Sequence, residues 1–185
     1  SYPGRQWKSS RNLRKLPLHN KFSNLKAHFG QFFGWERSLY FNSSKTPVLT
    51  FNKPDWHKQV GKEVKNANEG VALFDQSSFG KIEVKGKDAC KFLNRLCPNQ
   101  MDRKNGQVIY TSMLNQKGGI ESDLTAIRIR EDYYRLYVGT TSVHKDITWL
   151  ARHINDKEKV EFNHSIDAVK KLWEAASAID PDLKK

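Results

Sequence analysis

The sequence predicts an α+β fold, with a mixed or antiparallel sheet flanked by helices and an extended basic arm at the N-terminus. Residues 124–129 and 134–138 are apolar-rich runs with β-branched and aromatic side chains, joined by a charged turn, which is typical of a β-hairpin. Apolar residues recur at helical spacing on both sides of this hairpin. Because strand and helix patterns do not alternate regularly, we do not expect a parallel sheet.

The N-terminal region is basic and then aromatic. No acidic residue precedes Glu36, whereas seven Lys and Arg do, and Pro3 and Pro17 interrupt regular structure. We therefore expect residues 1–30 to form an arm that extends over a neighbouring surface. Residues 29–41 hold six aromatic side chains, a density that predicts a buried anchor.

The first predicted helix is capped by Asp55 and ends at Gly70. Strands are predicted at residues 71–74 and 81–84, separated by a turn at residues 76–78. The apolar positions that give the helix its period are Trp56, Val60, Val64 and Ala67.

Two more helices flank the hairpin. One begins at Asp88 and stops near Pro98, and the other is capped by Thr141 or Ser142. A last amphipathic helix is predicted at residues 165–178. The inward positions of the two flanking helices are Ala89, Phe92, Leu93 and Leu96, and then Val143, Ile147, Leu150 and Ile154.

Composition excludes several classes of site. The net charge of +12 and the pI near 9.7 favour anionic partners. Cys90 and Cys97 are not at a zinc spacing and are expected to be small apolar residues of a reducing compartment. The six histidines form no HxxxH or HExxH pair, so no metal site is predicted. The sequence also lacks a GxGxxG turn and any apolar run of ~18 residues, so neither a phosphate-binding turn nor a membrane span is expected.

A candidate site surrounds a glycine pair just before the hairpin. Gly118 and Gly119 allow positive φ and close approach of a ligand, and Asp123 follows them at the mouth of the strand. We expect polar and apolar groups to converge on this carboxylate in a concave site for a planar heteroaromatic ligand. Asp123 is alternatively a turn carboxylate. The converging residues are Tyr110, Thr111, Met113 and Asn115, for which the alternative roles are core packing or turn formation.

The run YTxMLNxxGGIxxDLTxxR at residues 110–128 resembles the folate-binding domain of the aminomethyltransferase family. The likeness is to the form found behind the flavin domain of sarcosine and dimethylglycine dehydrogenases. RKLPLH at 14–19, FGWER at 33–37 and LFDQSSFGKIEVKGKDACKFL at 73–93 match in the same order. The resemblance extends from residue 11 to residue 152. It implies an arm and linker at 1–50, a partial folate-binding domain at 51–154 and a divergent helical tail at 155–185.

The resemblance implies tetrahydrofolate as cofactor and Asp123 as the catalytic carboxylate near the reactive folate amine. Because the sequence lacks a GxGxxG turn, we expect no FAD site of the family's kind in this chain. The resemblance also implies a folate site shared with further domains that this sequence does not contain. The cofactor-binding positions it implies are Phe79, Tyr110, Thr111, Met113, Asn115, Gly118 and Gly119.

Two functions follow as expectations. The first is a tetrahydrofolate-dependent one-carbon transfer domain like that of mitochondrial sarcosine or dimethylglycine dehydrogenase. The second is a truncated, non-catalytic relative that serves as an accessory subunit of a larger mitochondrial complex, so enzymatic activity is left open. We expect other protein subunits or missing domains as partners and a location in the mitochondrial matrix or on the matrix side of a complex. Nucleic acid binding through the basic arm ranks lower.

Overall fold

A computed structural model of the chain describes residues 5–41 and 47–164. The backbone divides into two units, Ser1–Ser78 and Phe79–Lys185. The first contains β1 (Arg14–Lys15), α1 (His19–Asn24), β2 (Ala27–Phe32), β3 (Trp35–Phe41) and α2 (His57–Glu69). The second contains β4 (Gly80–Lys85), α3 (Ala89–Leu96), β5 (Val108–Leu114), β6 (Ile120–Arg130), β7 (Tyr133–Val138), α4 (Val143–His153) and β8 (Glu161–His164). The predicted helix at residues 165–178 lies outside the described residues.

The first unit is built on a small sheet of order β1-β3-β2, in which β1 is parallel and β2 antiparallel to β3. The basic arm is therefore shorter than predicted, because regular structure begins at Arg14. Leu16 and Leu18 are buried, and burial of these apolar side chains stabilises a folded conformation in a segment that was expected to be an extended basic arm.

The hairpin between β2 and β3 turns at Phe33 and Gly34, which have φ values of 51° and 81°. Positive φ at both central residues is the geometry of a tight hairpin turn. The predicted aromatic anchor is confirmed for Tyr40, which is 5% exposed. It is wrong for Phe32 and Phe33, which are 45% and 61% exposed because the turn carries them away from the unit's interior.

Helix α2 forms where it is predicted, with Gly70 as its C-cap, but the prediction that Asp55 caps its N-terminus is wrong by one residue. Trp56 holds the N-cap position, and Asp55 Oδ1 accepts a hydrogen bond from the Trp56 backbone N–H at 3.0 Å. The strand predicted at residues 71–74 is wrong, since none of these residues is in a strand. A strand needs a neighbouring strand for its backbone hydrogen bonds, and no described strand pairs with this segment.

The second unit contains an antiparallel sheet of order β5-β6-β7-β4-β8. This confirms the α+β prediction and the predicted hairpin, although β6 begins earlier, at Ile120. Side chains alternate between the two faces, as along any strand. On β5, Ile109 and Met113 are buried whereas Tyr110 is exposed.

Helices α3 and α4 supply the other half of the core. All four predicted inward residues of α3 are buried, as are Val143 and Leu150 of α4. They join one cluster with buried residues of β4, β5, β6 and β7. Cys90 and Cys97 are both free, and burial raises the pKa of the Cys97 thiol to about 12. None of the helices within 5–41 and 47–164 is long and apolar enough to cross a membrane.

Candidate functional site

Tyr110 and Asp123 meet on neighbouring strands. β5 and β6 run antiparallel, with Ser112 opposite Asp123 and Tyr110 opposite Thr125. Asp123 and Tyr110 therefore lie diagonally on the same face of the sheet. The Tyr110 hydroxyl donates a hydrogen bond to Asp123 Oδ2 at 3.1 Å.

Electrostatics favour Tyr110 as the donor of this hydrogen bond and Asp123 as the acceptor. The hydrogen bond to Asp123 raises the pKa of the Tyr110 phenol, and the negative charge of the carboxylate acts in the same sense. The phenol consequently keeps its proton at neutral pH and remains a donor. One carboxylate oxygen of Asp123 is thus held in place by its neighbour.

The surface around the pair is open rather than concave. Asp123 is exposed, and Tyr110 is 67% exposed. Val108, on the same face two residues before Tyr110, is 64% exposed. The concave site expected from the sequence is therefore not formed by the second unit within the described residues. The geometry gives a flat wall with one carboxylate, one phenol and apolar surface.

Asn115 shapes the turn beside this wall. Its Oδ1 accepts hydrogen bonds from the backbone N–H groups of Lys117 at 3.0 Å and Gly119 at 2.9 Å. Its Nδ2 donates to Glu121 Oε1 at 2.9 Å. Gly118 has a φ of 77°, and a Cβ on Gly119 would lie 2.8 Å from Asn115 Nδ2. The turn role left open for Asn115 is thus present, and both glycines are explained by the turn itself.

Three of the predicted residues are placed elsewhere. Thr111 and Met113 are 4% and 0% exposed and lie on the core face of β5, so the expected convergence on Asp123 does not include them. Phe79 precedes β4, which is separated from β6 by β7 in the sheet. The structure therefore brings together Tyr110 and Asp123, with Asn115, Gly118 and Gly119 in the adjacent turn. Assignment of all these residues to a folate site stays a prediction.

A charged network that the sequence analysis missed lies across β4 and β7. Glu83 accepts hydrogen bonds from Lys85 Nζ at 2.7 Å, from Arg135 Nη2 at 3.1 Å and from the Tyr133 hydroxyl. Burial alone would raise the pKa of Glu83, but these hydrogen bonds outweigh it and lower the pKa to about 2. In the sequence, the only sign of this network is the alternation of Lys81, Glu83 and Lys85. The partners of Glu83 on β7 could be named only once the register between β4 and β7 was known.

No metal centre is visible in the part of the chain that the structure describes, where no group of three His, Cys, Asp or Glu side chains is arranged to hold an ion. The Tyr110–Asp123 wall offers a carboxylate and a phenol. These groups can orient an amine by hydrogen bonding and can stabilise a positive charge on it.

The chain matches the model of the GCVT N-terminal domain family over residues 18–173. The chain belongs to the GCVT N-terminal domain family. This confirms the resemblance to the aminomethyltransferase family. The match includes the candidate wall, since β5 and β6 both lie within it.

Two proteins illustrate this membership. The chain is 33% identical over 165 residues to 4-methylaminobutanoate oxidase (formaldehyde-forming) of Paenarthrobacter nicotinovorans, a match that covers 88% of the chain and 20% of that protein. It superposes with a TM-score of 0.69 on the crystal structure of glycine cleavage system aminomethyltransferase T from Bartonella henselae. That likeness has 26% identity and covers 84% of this chain and 39% of the other. The GCVT N-terminal domain described here thus spans a fifth of the curated relative's length.

Proposed function

We propose that this GCVT N-terminal domain supplies one wall of a tetrahydrofolate-dependent site for aminomethyl transfer, similar to that of sarcosine and dimethylglycine dehydrogenases. The observation that carries the proposal is the hydrogen-bonded pair of Tyr110 and Asp123 on the open face of β5 and β6. Membership in a folate-related one-carbon family supports it. Asp123 is the residue to which the aminomethyltransferase pattern assigns the catalytic role.

Asp123 has the chemistry this role needs. When bound, tetrahydrofolate supplies a nucleophilic amine that attacks the one-carbon unit. Tyr110 holds Oδ2 of Asp123, which leaves Oδ1 to accept a hydrogen bond from that amine and to stabilise the positive charge that develops on it. The exposed Tyr110 ring offers a flat apolar face to a pterin.

Because this face of β5 and β6 is open to solvent, the Tyr110–Asp123 wall by itself would bind a ligand only weakly. Water competes for the Asp123 carboxylate as long as it is exposed, so a hydrogen bond to a ligand adds little there. A second protein surface over the wall would exclude this water and strengthen each polar contact. We therefore propose that the site is completed by additional protein, from other domains or subunits.

An accessory role is the second candidate, and the exposed rings of Phe32 and Phe33 favour it. Contiguous exposed apolar surface marks protein interaction sites, and these two rings pack edge to face with centroids 5.2 Å apart. In this role the domain would be a non-catalytic subunit of a larger mitochondrial complex. The mitochondrial location is proposed from the resemblance and the basic composition.

Calorimetric titration with tetrahydrofolate tests the first candidate. We expect weak binding to the unaltered chain, about threefold weaker binding to Asp123→Asn because water competes for the exposed carboxylate, and a smaller loss for Tyr110→Phe. Asp132→Asn is a matched control, because Asp132 is an exposed carboxylate at the far end of the hairpin. Equal heats for the unaltered chain and Asp123→Asn, or no heat in either, would remove Asp123 from a folate role. Absence of any binding would leave the accessory role as the better account.

A further inference from the structure

A β-bulge lies in β6 just before Asp123. Consecutive residues of β5 pair with Ser122 and with Ile120, which leaves Glu121 as an extra residue with no opposite residue on β5. In a regular strand, residues two apart lie on the same face. Here Ser122 is 8% exposed on the core face, whereas Ile120 is 71% exposed on the open face. The bulge therefore changes the face on which the side chains of β6 lie.

The position of the bulge decides whether Asp123 reaches the open face. With the extra residue at Glu121, Asp123 lies on the same face as Tyr110, and Ser122 lies on the core face. A bulge that moved past Asp123 would slip the pairing of this segment by one residue and exchange the faces of Ser122 and Asp123. Asp123 can therefore meet Tyr110 only while the bulge stays at Glu121.

The start of α4 holds the bulge from the core side. Ser122 Oγ donates a hydrogen bond to Asp146 Oδ2 at 2.9 Å, across 24 residues of sequence, and Lys145 Nζ donates to the Glu121 carbonyl. The Ser122 hydroxyl has one proton, and the carboxylate lies closer to it than the Asp123 carbonyl oxygen at 3.3 Å. Hydrogen bonds to a carboxylate are roughly twice as strong as neutral ones. This bond exists only while Ser122 is on the core face.

Packing alone does not explain a carboxylate at position 146. Asp146 is 0% exposed, and burial of a carboxylate costs free energy that its hydrogen bonds must offset. Oδ2 accepts hydrogen bonds from Ser122 and, at 2.6 Å, from Ser142. Within residues 5–41 and 47–164, no group donates a hydrogen bond to Oδ1, and Lys145 Nζ lies 3.9 Å from it. Costly exceptions of this kind are expected at functional sites.

We propose that Ser122 and Asp146 are positioning residues for Asp123. Their hydrogen bond keeps Ser122 on the core face and the bulge at Glu121, and it thereby presents the Asp123 carboxylate to Tyr110 and to a ligand. Neither side chain reaches the open face, so both act through Asp123. The inference rests on the proposed function, because that function gives Asp123 its role towards the folate amine.

The phenol of Tyr110 reports on this arrangement without any ligand. Its pKa is raised by the hydrogen bond to Asp123, so carbon NMR titration of tyrosine labelled at Cζ shows whether the bond is present. Tyr110→Phe assigns the signal. In Ser122→Ala we expect the pKa of Tyr110 to fall towards its ordinary value of 10, because the carboxylate turns away. Ser122→Thr keeps the hydroxyl and should retain the raised pKa.

Ser142→Ala is the matched control. Ser142 donates to the same oxygen of Asp146, but it is the N-cap residue of α4 and makes no link to β6 through that bond, so its loss should leave the pKa of Tyr110 raised. Circular dichroism across the titration establishes that each variant is folded. If Ser122→Ala does not fold, Ser122→Cys keeps the shape of the side chain and donates only weakly, so it should lower the pKa in the same direction. A Tyr110 pKa that stays raised in the folded Ser122 variant, or that falls equally in Ser142→Ala, would overturn the proposal.

Titration with tetrahydrofolate separates this inference from the function on which it rests. We expect Ser122→Ala and Asp123→Asn each to bind about threefold more weakly than the unaltered chain. The double variant should lose no more than either alone, because both substitutions remove the same contact. Absence of binding to the unaltered chain would remove the folate role, and the Tyr110 titration would still decide whether Ser122 positions Asp123. Full binding to Ser122→Ala beside weakened binding to Asp123→Asn would retain the folate role and overturn the positioning.

Discussion

Arg11 and Glu36 form an ion pair in which the carboxylate is only 1% exposed. Arg11 Nε and Nη2 donate to the two Glu36 oxygens at 2.8 and 2.6 Å, and the Asn12 backbone N–H donates to Oε1 at 2.7 Å. The hydrogen bond from Arg11 lowers the pKa of Glu36 despite its burial. At least one cationic residue of the basic arm, Arg11, therefore holds a buried carboxylate of the fold and is not free to bind an anionic partner.

The first prediction follows from this pair. Arg11→Met should destabilise the first unit by about 3–5 kcal/mol, because it leaves a buried carboxylate without its partner. Urea denaturation followed by hydrogen exchange of β2 and β3 measures the loss. Arg5→Met is the control, as Arg5 is exposed, and should change stability by less than about 0.5 kcal/mol. Equal effects of the two substitutions would show that the ion pair does not stabilise the unit.

The second prediction concerns acid stability and rests on Glu83. Its pKa is lowered from an ordinary 4.5 to about 2, so its contribution to stability is present above pH 4.5 and is lost as pH falls towards 2. The midpoint of thermal unfolding should fall over this range. Glu83→Gln should flatten the decline, because the titrating group is removed.

Glu158 contributes in the same range. Its hydrogen bond with Arg95 lowers its pKa to about 2, so Glu83→Gln should remove only part of the decline. The double variant Glu83→Gln, Glu158→Gln should remove more of it. A decline equally steep in all three proteins would contradict the assignment to these two carboxylates.

The third prediction compares a glycine at which an added Cβ would clash with one that has open space around it. Gly86 has a φ of 129°, and a Cβ there would lie 2.0 Å from the Lys159 carbonyl oxygen. Gly86→Ala should therefore cost about 3 kcal/mol or more of unfolding free energy. Gly106 has a φ of 85° with open space around it, so Gly106→Ala should cost only about 1 kcal/mol. Equal costs by urea denaturation would show that no clash occurs at Gly86.

The fourth prediction tests the two faces of β5. Met113→Ala should destabilise the second unit by about 2–5 kcal/mol, because it opens a cavity in the core. Tyr110→Ala, on the exposed face of the same strand, should cost less than about 1 kcal/mol. Denaturant unfolding of both variants gives the comparison. A larger loss for Tyr110→Ala would mean that β5 presents the opposite face to the core.

The candidate site was predictable where its parts are close in the sequence. Tyr110 and Asp123 are thirteen residues apart on two strands joined by one turn, and antiparallel pairing brings them together. The strand period alone did not show which face of β5 would be covered. Thr111 and Met113 face the core because α3 and α4 cover that side, and this depends on residues far along the chain.

The sequence by itself determined the family, the hairpin of β6 and β7, the three described helices that it predicted, and the buried face of α3. These features follow from patterns that repeat within a few residues. Only the tertiary structure decided that Arg11 pairs with Glu36, that Glu83 accepts hydrogen bonds from residues of β7, and that none of the described strands pairs with residues 71–74. The reason is physical: hydrogen bonds and burial depend on which distant segments meet, and the Arg11–Glu36 pair alone spans 25 residues.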